Sequence, residues 1–503
     1  MSSVRDASST IYGLQIPFDN TYALLPPRFF QRITLSPVRA PSLVRINRGL
    51  AQELGIDPDA LASPEGIAVL AGNRVPHGAE PIALAYAGHQ FGGFTPQLGD
   101  GRAVLLGEVV GPDGGRHDIQ LKGSGRTAFS RAGDGRAALG PVLREYLIGE
   151  AMAAFGIPTT RALAAVTTGE EVLRETPLPG AVLTRVAASH IRVGTFQFFA
   201  ARGDVAALRI LTDYTIARHY PELAGQEAPY AAFLAAATAR QAELVARWLL
   251  VGFVHGVMNT DNTAVSGETI DYGPCAFVDT YDPATVFSSI DLGGRYAYGN
   301  QPRIAAWNMT RLAEALLPLL SADQPTGIAV AQEALAGFAP RFEAVYLPGL
   351  RGKIGLSTAQ AGDDALAQAL LARMAAEGAD FTVTFRALCR AAAVPEGDAA
   401  VRGLFRDGTA YDSWAADWHN RLAQEPGPAE AHVAGMRAVN PIYIPRNHQV
   451  EAALVAAVTR GDYGPFETLL NVITGPFDER PDLVRFTLPP EPDERVLQTF
   501  CGT

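Results

Sequence analysis

The sequence predicts an α+β protein with a smaller β-rich N-terminal lobe, a larger helical C-terminal lobe, and an extension at each end. Three observations carry that prediction. From Ile82 to Ile119 the chain reads as strands punctuated by glycine. After about residue 200 it becomes Ala- and Leu-rich with helical spacing. No Ser- or Gly-rich linker separates the two regions, so they read as parts of one two-lobed unit. The 503 residues divide into an N-terminal extension (1–80), a β-rich lobe (81–200) and a helical lobe with a tail (201–503).

In chain order, the first 80 residues look irregular apart from a short helix near Leu43 to Leu54. RAVLLGEVV (Arg102–Val110) is Val- and Leu-rich, GPDGG turns the chain, and HDIQLKG sets Ile119 and Leu121 against Gln120 and Lys122. Two such runs around a Gly/Asp/Pro turn predict a β-hairpin. A helix follows over about Pro141 to Phe155, with proline in its first turn and Gly156 and Pro158 beyond its end. Ala231 to Val254 forms one long helical pattern ending at His255-Gly256, and further helices run to about Asp380. The Pro-rich, charged stretch from Pro476 to Arg495 is expected to wrap the surface.

Composition narrows the function classes. Hydrophobic residues at 48% and charged residues at 18% describe a globular chain with ample core. A net charge of −11 argues against a general nucleic-acid coat, which needs a basic surface. No signal peptide or membrane span stands out, because the most apolar stretch, Leu244 to Met258, is broken by Arg247 and His255. Three cysteines, Cys275, Cys389 and Cys501, make neither a disulfide framework nor a CxxC zinc pair, so a reducing, cytoplasmic location is expected. Only two of the 41 basic residues are lysines, Lys122 and Lys353. Where arginine replaces lysine so freely, a surviving lysine marks a place for a compact ammonium, which nominates Lys122 and leaves Lys353 without a role.

Residues with chemical potential occur in a set order. Gly88, Gly92, Gly93, Gly99 and Gly101 crowd the run AGHQFGGFTPQLGDGRA, where bare backbone can present N–H groups to a phosphate or simply turn. Lys122 lies on the second hairpin strand, where it reads either as a phosphate ligand or as an edge-strand charge. Glu145, on the following helix, could pair with it. His255 to Asn262 (HGVMNTDN) and Asp271-Tyr272-Gly273 align with the kinase catalytic loop HRDxxxxN and with DFG. Val257 stands where a kinase has its catalytic Asp, while Asp261 appears directly beside Asn262. Each residue alone has an ordinary structural explanation, but their combined order predicts a protein-kinase-like, ATP-binding fold. From Arg116 to Arg144 there are six basic residues and two acidic ones, a local basic region in an acidic chain.

The runs YAGHQFGGFTPQLGDGRA, LKGSG, GDGRAAL, HGVMNTDN, DYGPCAF and AYGNQP together resemble the selenoprotein O family, called YdiU in bacteria, across essentially the whole chain. That resemblance implies a kinase-like fold that binds ATP in a flipped orientation and transfers AMP to Ser, Thr or Tyr hydroxyls of proteins. It implies that Gly99, Gly101, Arg102 and Lys122 hold phosphates, and that Asp134, Gly135, Arg185, Arg192 and Asp271 contact the rest of the inverted nucleotide. Glu145 would hold Lys122, Asp261 would act as general base, and Asn262 with Asp271 would carry Mg²⁺ or Mn²⁺. Some family members have selenocysteine near the C-terminus where this chain has Cys501, which suggests a reversible Cys275–Cys501 redox pair. Three other readings stay open: UMP transfer from UTP at the same site, ordinary phosphoryl transfer (disfavoured by Val257), and a catalytically inactive nucleotide-binding scaffold.

Overall fold

The computed structural model describes residues 14–500. They form a mixed α/β protein that folds as two compact units. The first contains residues up to Leu84, Gly99–Val142 and Ala162–Ala188; the second contains Ala85–Leu98, Leu143–Arg161 and Ser189 onward.

The first unit is organised by an eight-stranded sheet. Across it the strands run Phe30–Arg32, Ile82–Leu84, Ala103–Val110, Arg116–Lys122, Pro177–Ala187, Arg161–Leu173 and Ser42–Ile46. The two-residue strand Ala137–Ala138 pairs with Pro177–Ala187 off this path. The expected hairpin forms, with Lys122 opposite Ala103 on one neighbour and opposite Leu183 on the other. Lys122 is therefore on an interior strand, so edge protection does not account for its charge. One face of the sheet packs a core that includes Val104, Leu106, Ile119, Leu121, Leu163 and Val182.

The N-terminal stretch is more ordered than its sequence suggests. Ser42–Ile46 is an outermost strand rather than the start of a helix, because it finds a partner in the distant Ala164–Thr167. The helix begins only at Arg48, where the Asn47 side chain accepts from the Leu50 amide at 3.2 Å. Two further short helices, Pro58–Ala62 and Pro64–Leu70, each begin with a capping side chain (Asp57, Ser63) followed by proline. That start signal is a local one, yet the surrounding irregular sequence masks it.

The second unit is helical. Helix Leu139–Ala154 starts two residues before the expected Pro141, and Leu143 onward belongs to this unit. The long helix spans Pro229–Leu250 and stops short of Val254. Gly252 adopts φ +75°, and a Cβ there would lie 2.9 Å from Val278 and 3.0 Å from Phe381. Phe253–Val254 then pairs as a short strand with Ala276–Phe277, bracketing the catalytic-loop sequence. Asn447 clamps that ribbon: its Nδ2 donates to the Phe277 carbonyl at 2.9 Å, and its Oδ1 accepts from the Phe277 amide at 3.3 Å. Next to it, buried Arg446 pairs with Asp279 at 2.5 Å and Asp380 at 2.8 Å.

Helices continue past Asp380 to Ile473, beyond the limit read from the sequence, because Phe381, Phe385 and Leu388 join Trp414, Trp418 and Met436 in one buried cluster. The Pro-rich stretch after residue 476 forms a 3₁₀ turn at Pro481–Thr487 and otherwise irregular chain. No helix among the described residues is long and apolar enough to cross a membrane.

Candidate functional site

In the first unit, the sequence-nominated residues gather at one end of the central strands. Arg102 precedes strand Ala103–Val110, and its carbonyl accepts from the Gly123 amide at 2.7 Å, immediately after Lys122. The Arg102 side chain makes no hydrogen bond or ion pair with the described residues, while Lys122 is 9% exposed. Arg185, on strand Pro177–Ala187, is 2% exposed and donates to Gln120 at 3.4 Å. Gln120 in turn donates to Asp100 at 3.3 Å, and Asp100 accepts from the Leu84 amide at 3.1 Å. This chain of bonds holds one guanidinium rigidly inside the sheet.

Several glycines here have a packing reason. Gly99 adopts φ +78°, and a Cβ would overlap the Phe129 ring. A Cβ on Gly101 would sit 2.8 Å from the Phe129 carbonyl oxygen. The Thr127–Ser130 turn is thus laid directly on the Gly-Asp-Gly backbone, and Thr127 Oγ1 donates to the Asp100 carbonyl at 2.6 Å. Gly135 (φ +70°) lies against the backbone of Gly125, whose amide donates to the Gly135 carbonyl at 3.0 Å. Asp134 accepts from the Arg136 amide at 2.9 Å and pairs with Arg174 at 2.9 Å. Partial burial alone would raise its pKa; those two donors outweigh it and hold the carboxyl below its ordinary value.

In the second unit the catalytic-loop sequence folds into a closely bonded centre. His255 is buried, and that burial lowers its pKa; its Nε2 donates to the Ile270 carbonyl at 2.9 Å. Asp261 is 7% exposed. Its Oδ2 accepts from Gln90 Nε2 at 3.1 Å, whereas Oδ1 is buried without a hydrogen-bond partner. Burial pushes the Asp261 pKa up to about 6, and the Arg192 guanidinium opposes that rise. Arg192 donates to the Asp261 carbonyl at 2.6 Å, forms a short ion pair with Asp271, and lies 4.7 Å from the Tyr86 ring centroid. Asp271 adopts φ +63°, a left-handed conformation that turns the chain between Ile270 and the Tyr272-Gly273 pair.

The Asn262 side chain donates from Nδ2 to the Val257 carbonyl at 3.0 Å, which leaves its amide oxygen as the atom available to a cation. An amide oxygen and a carboxylate are hard donors that suit Mg²⁺ or Mn²⁺. No group of three or more His, Cys, Asp or Glu side chains able to hold a metal occurs among the described residues, so phosphate oxygens and water would complete the shell. With that proviso the pair fits the cation.

The sequence suggests one phosphate loop holding five glycines, and the fold divides them. Gly88, Gly92 and Gly93 belong to a small hairpin of the second unit, Gly88–Gln90 paired with Gly93–Thr95, while Gly99 and Gly101 belong to the first. This hairpin is built onto the catalytic loop. The His89 amide donates to Thr260 Oγ1 at 2.7 Å, Thr260 donates to Gln197 at 2.6 Å, and Gln197 Nε2 meets His89 Nδ1 at 2.8 Å. The Phe91 amide and the Tyr296 hydroxyl both donate to Asn259 Oδ1, at 3.1 and 2.7 Å. Gln90, Asn259, Thr260, Gln197 and Tyr296 brace the Asp261 segment by hydrogen bonds, and the sequence reading misses them. The glycine density of AGHQFGG is the available signal.

Glu145 is 3% exposed on its helix in the second unit, and Lys122 belongs to the first; their pairing stays an expectation. Cys275 is fully buried, and Cys501 lies outside the described residues. Thr499 Oγ1 donates to the Pro274 carbonyl, next to Cys275 in sequence, at 2.6 Å, and Thr499 bridges Ser288 in parallel.

Comparison with known proteins places this arrangement. The family model described as protein adenylyltransferase SelO matches residues 13–474. A protein of Methylorubrum extorquens named protein nucleotidyltransferase YdiU is 66% identical over 493 residues, covering 97% of this chain and 99% of that protein. Rhodopseudomonas palustris (strain BisB5) has a protein of the same name, 64% identical over 490 residues, covering 97% of this chain and all of the relative. A third of that name, from a Bradyrhizobium species, is 63% identical over 491 residues, again covering 97% of this chain and all of the relative. With a matching family model over most of its length and relatives this similar along their whole length, the chain belongs to the SelO/YdiU family.

Proposed function

We infer that this protein is a nucleotidyltransferase of protein-kinase-like fold that moves AMP from ATP onto Ser, Thr or Tyr hydroxyls of proteins. The nucleotidyl transfer is supported by the names of its relatives. One observation carries the choice of base: Asp261 presents a buried carboxylate oxygen with no partner, while Val257 occupies the place of a kinase base. An acceptor hydroxyl would satisfy Oδ1 and give up its proton there as its oxygen attacks the α-phosphorus, while the bond between the α-phosphorus and the bridging oxygen breaks and pyrophosphate leaves. Gln90 orients the carboxylate through its other oxygen.

The first unit would serve as the nucleotide-binding lobe and the second as the catalytic lobe. Lys122 and Arg102, with the backbone of Gly99 and Gly101, would neutralise and position the phosphates. Asp134, Gly135, Arg185 and Arg192 would contact the remainder of an inverted nucleotide. Glu145 would keep Lys122 charged. Asn262 and Asp271 would hold Mg²⁺ or Mn²⁺, which when bound neutralises phosphate charge. Arg192 holds the Asp271 carboxylate in place meanwhile.

The test uses ATP radiolabelled at the α- or the γ-phosphate, incubated separately with protein and a cell lysate. Label on protein from the α-position alone supports AMP transfer. Label from the γ-position means phosphorylation, label from α-labelled UTP instead means UMP transfer, and label from none of these means a binding scaffold.

A further inference from the structure

The hairpin that braces the catalytic loop also presents a surface that the proposed chemistry leaves unused. Its turn, Phe91-Gly92, has positive φ at both residues, 51° and 88°, and its outer strand carries Phe94, which is 42% exposed. His89 packs at a tilt against Phe94 with ring centroids 4.9 Å apart and meets Trp307 edge-on at 5.3 Å. Two arginines sit against Trp307, and a third meets the exit of the hairpin. Arg295 lies 4.7 Å from the Trp307 centroid and Arg311 lies 4.9 Å from it. Arg202 lies 3.5 Å from the Phe198 centroid and donates to the Pro96 carbonyl at the hairpin's exit at 3.1 Å.

Only Arg311 has a carboxylate partner, Glu314 at 2.8 Å. Among the described residues no carboxylate pairs with Arg295 or Arg202, and Arg295 Nε is buried without a hydrogen-bond partner. Gly92 lies beside the Arg295 guanidinium, where a Cβ would make ordinary contact at 3.6 Å. Adjacent Tyr296 holds Asn259 of the catalytic loop, and His89 holds Thr260, the residue before Asp261. Guanidinium planes fixed on aromatic rings are presented at low entropic cost and in a geometry that accepts a carboxylate in bidentate fashion.

We propose that this arginine–aromatic face binds an acidic segment of the acceptor protein, close to the hydroxyl that is modified. The proposal rests on the reading of the site as one that modifies protein hydroxyls, and it adds the chemical class of the acceptor. Charge complementarity selects this occupant: two cations without carboxylate partners beside exposed aromatic surface attract acidic side chains and repel basic ones.

Binding is measured by fluorescence anisotropy on the full chain, with a labelled peptide holding one threonine between glutamates and its glutamine counterpart. The glutamate peptide should bind about tenfold more tightly or better, and salt should erode the difference. Arg295→Gln with Arg202→Gln should abolish the preference, and Arg295→Glu with Arg202→Glu should transfer it to a lysine-flanked peptide. Equal affinity of the wild-type protein for the two peptides overturns the proposal, even if the variants fail to fold. So does a preference that survives both substitutions, or self-association of the chain that the same substitutions abolish. Because binding is read without transfer, a peptide that binds yet accepts no α-label refutes the proposed activity and not this surface.

Discussion

Gly88→Ala tests the geometry of the proposed base with the smallest available perturbation. Gly88 does not adopt positive φ, so the substitution brings no backbone penalty of that kind. Its new Cβ would lie 2.5 Å from Asp261 Oδ1 and 2.9 Å from Asp261 Cβ and Cγ. Ordinary contacts begin near ~3.5 Å, so one partner must retreat by roughly 1 Å. The hairpin is pinned on both sides of Gly88, by Ala87 N to the Gly194 carbonyl at 2.9 Å and His89 N to Thr260 at 2.7 Å. The movement therefore falls on the Asp261 carboxylate. A displacement of that size in a positioned group costs on the order of 100-fold in turnover, with overpacking of about 1–3 kcal/mol in stability. The expected result is a transfer rate from α-labelled ATP reduced about 100-fold with ATP affinity retained. Gly93→Ala is the control, since its Cβ would meet only the Gln90 carbonyl oxygen at 3.5 Å. A Gly88→Ala enzyme that transfers AMP at the normal rate would refute Asp261 as the base.

Other substitutions separate the remaining roles. Asp261→Asn should remove α-label transfer, typically by a factor of about 100 to 10,000 for a lost general base, while isothermal titration still detects ATP. Lys122→Ala should weaken ATP binding or slow turnover; unchanged kinetics would take Lys122 out of the site. Gly252→Ala, at φ +75° and against Val278 and Phe381, should lower the denaturant midpoint by the equivalent of about 1–3 kcal/mol. Lys353→Met should stabilise the protein near neutral pH. Burial lowers the Lys353 pKa to about 7, outweighing the Phe385 and Phe381 rings at 4.3 and 5.3 Å that favour the ammonium. A pKa depressed in the folded state contributes stability above the unfolded value, near 10.5, that is lost as pH falls through the folded value. The variant's advantage in urea midpoint should thus shrink as pH rises from 7 toward 10, and a gap independent of pH would show that the amine is not desolvated in this way.

Lysine scarcity shows both the reach and the limit of composition. It marks two positions, and both are buried. Lys122 falls on an interior strand beside Arg102, in the proposed phosphate site. Lys353 ends a helix and rests on Phe385, with no place in the proposed chemistry. Scarcity says that a lysine is kept, not why, because the reason lies in neighbours far along the chain. The AGHQFGGFTPQLGDGRA run is a second case. Its glycine density is plain from the sequence, but only folding sends its first half to the catalytic loop and its second half to the sheet.

From the sequence alone came the mixture of a strand-rich and a helical region, the central hairpin, the helix around Glu145 and the order Lys122, Glu145, Asp261, Asn262, Asp271. Each of these is written in local periodicity or in motif spacing, which operate within a few turns of chain. The tertiary structure decided which oxygen of Asp261 is free, that Gln90 holds the other, and that Ser42–Ile46 is a strand. Those outcomes depend on partners up to 171 residues away in sequence, as Gln90 and Asp261 are. Hydrogen-bond satisfaction and steric fit between such distant segments are settled only when the chain has packed.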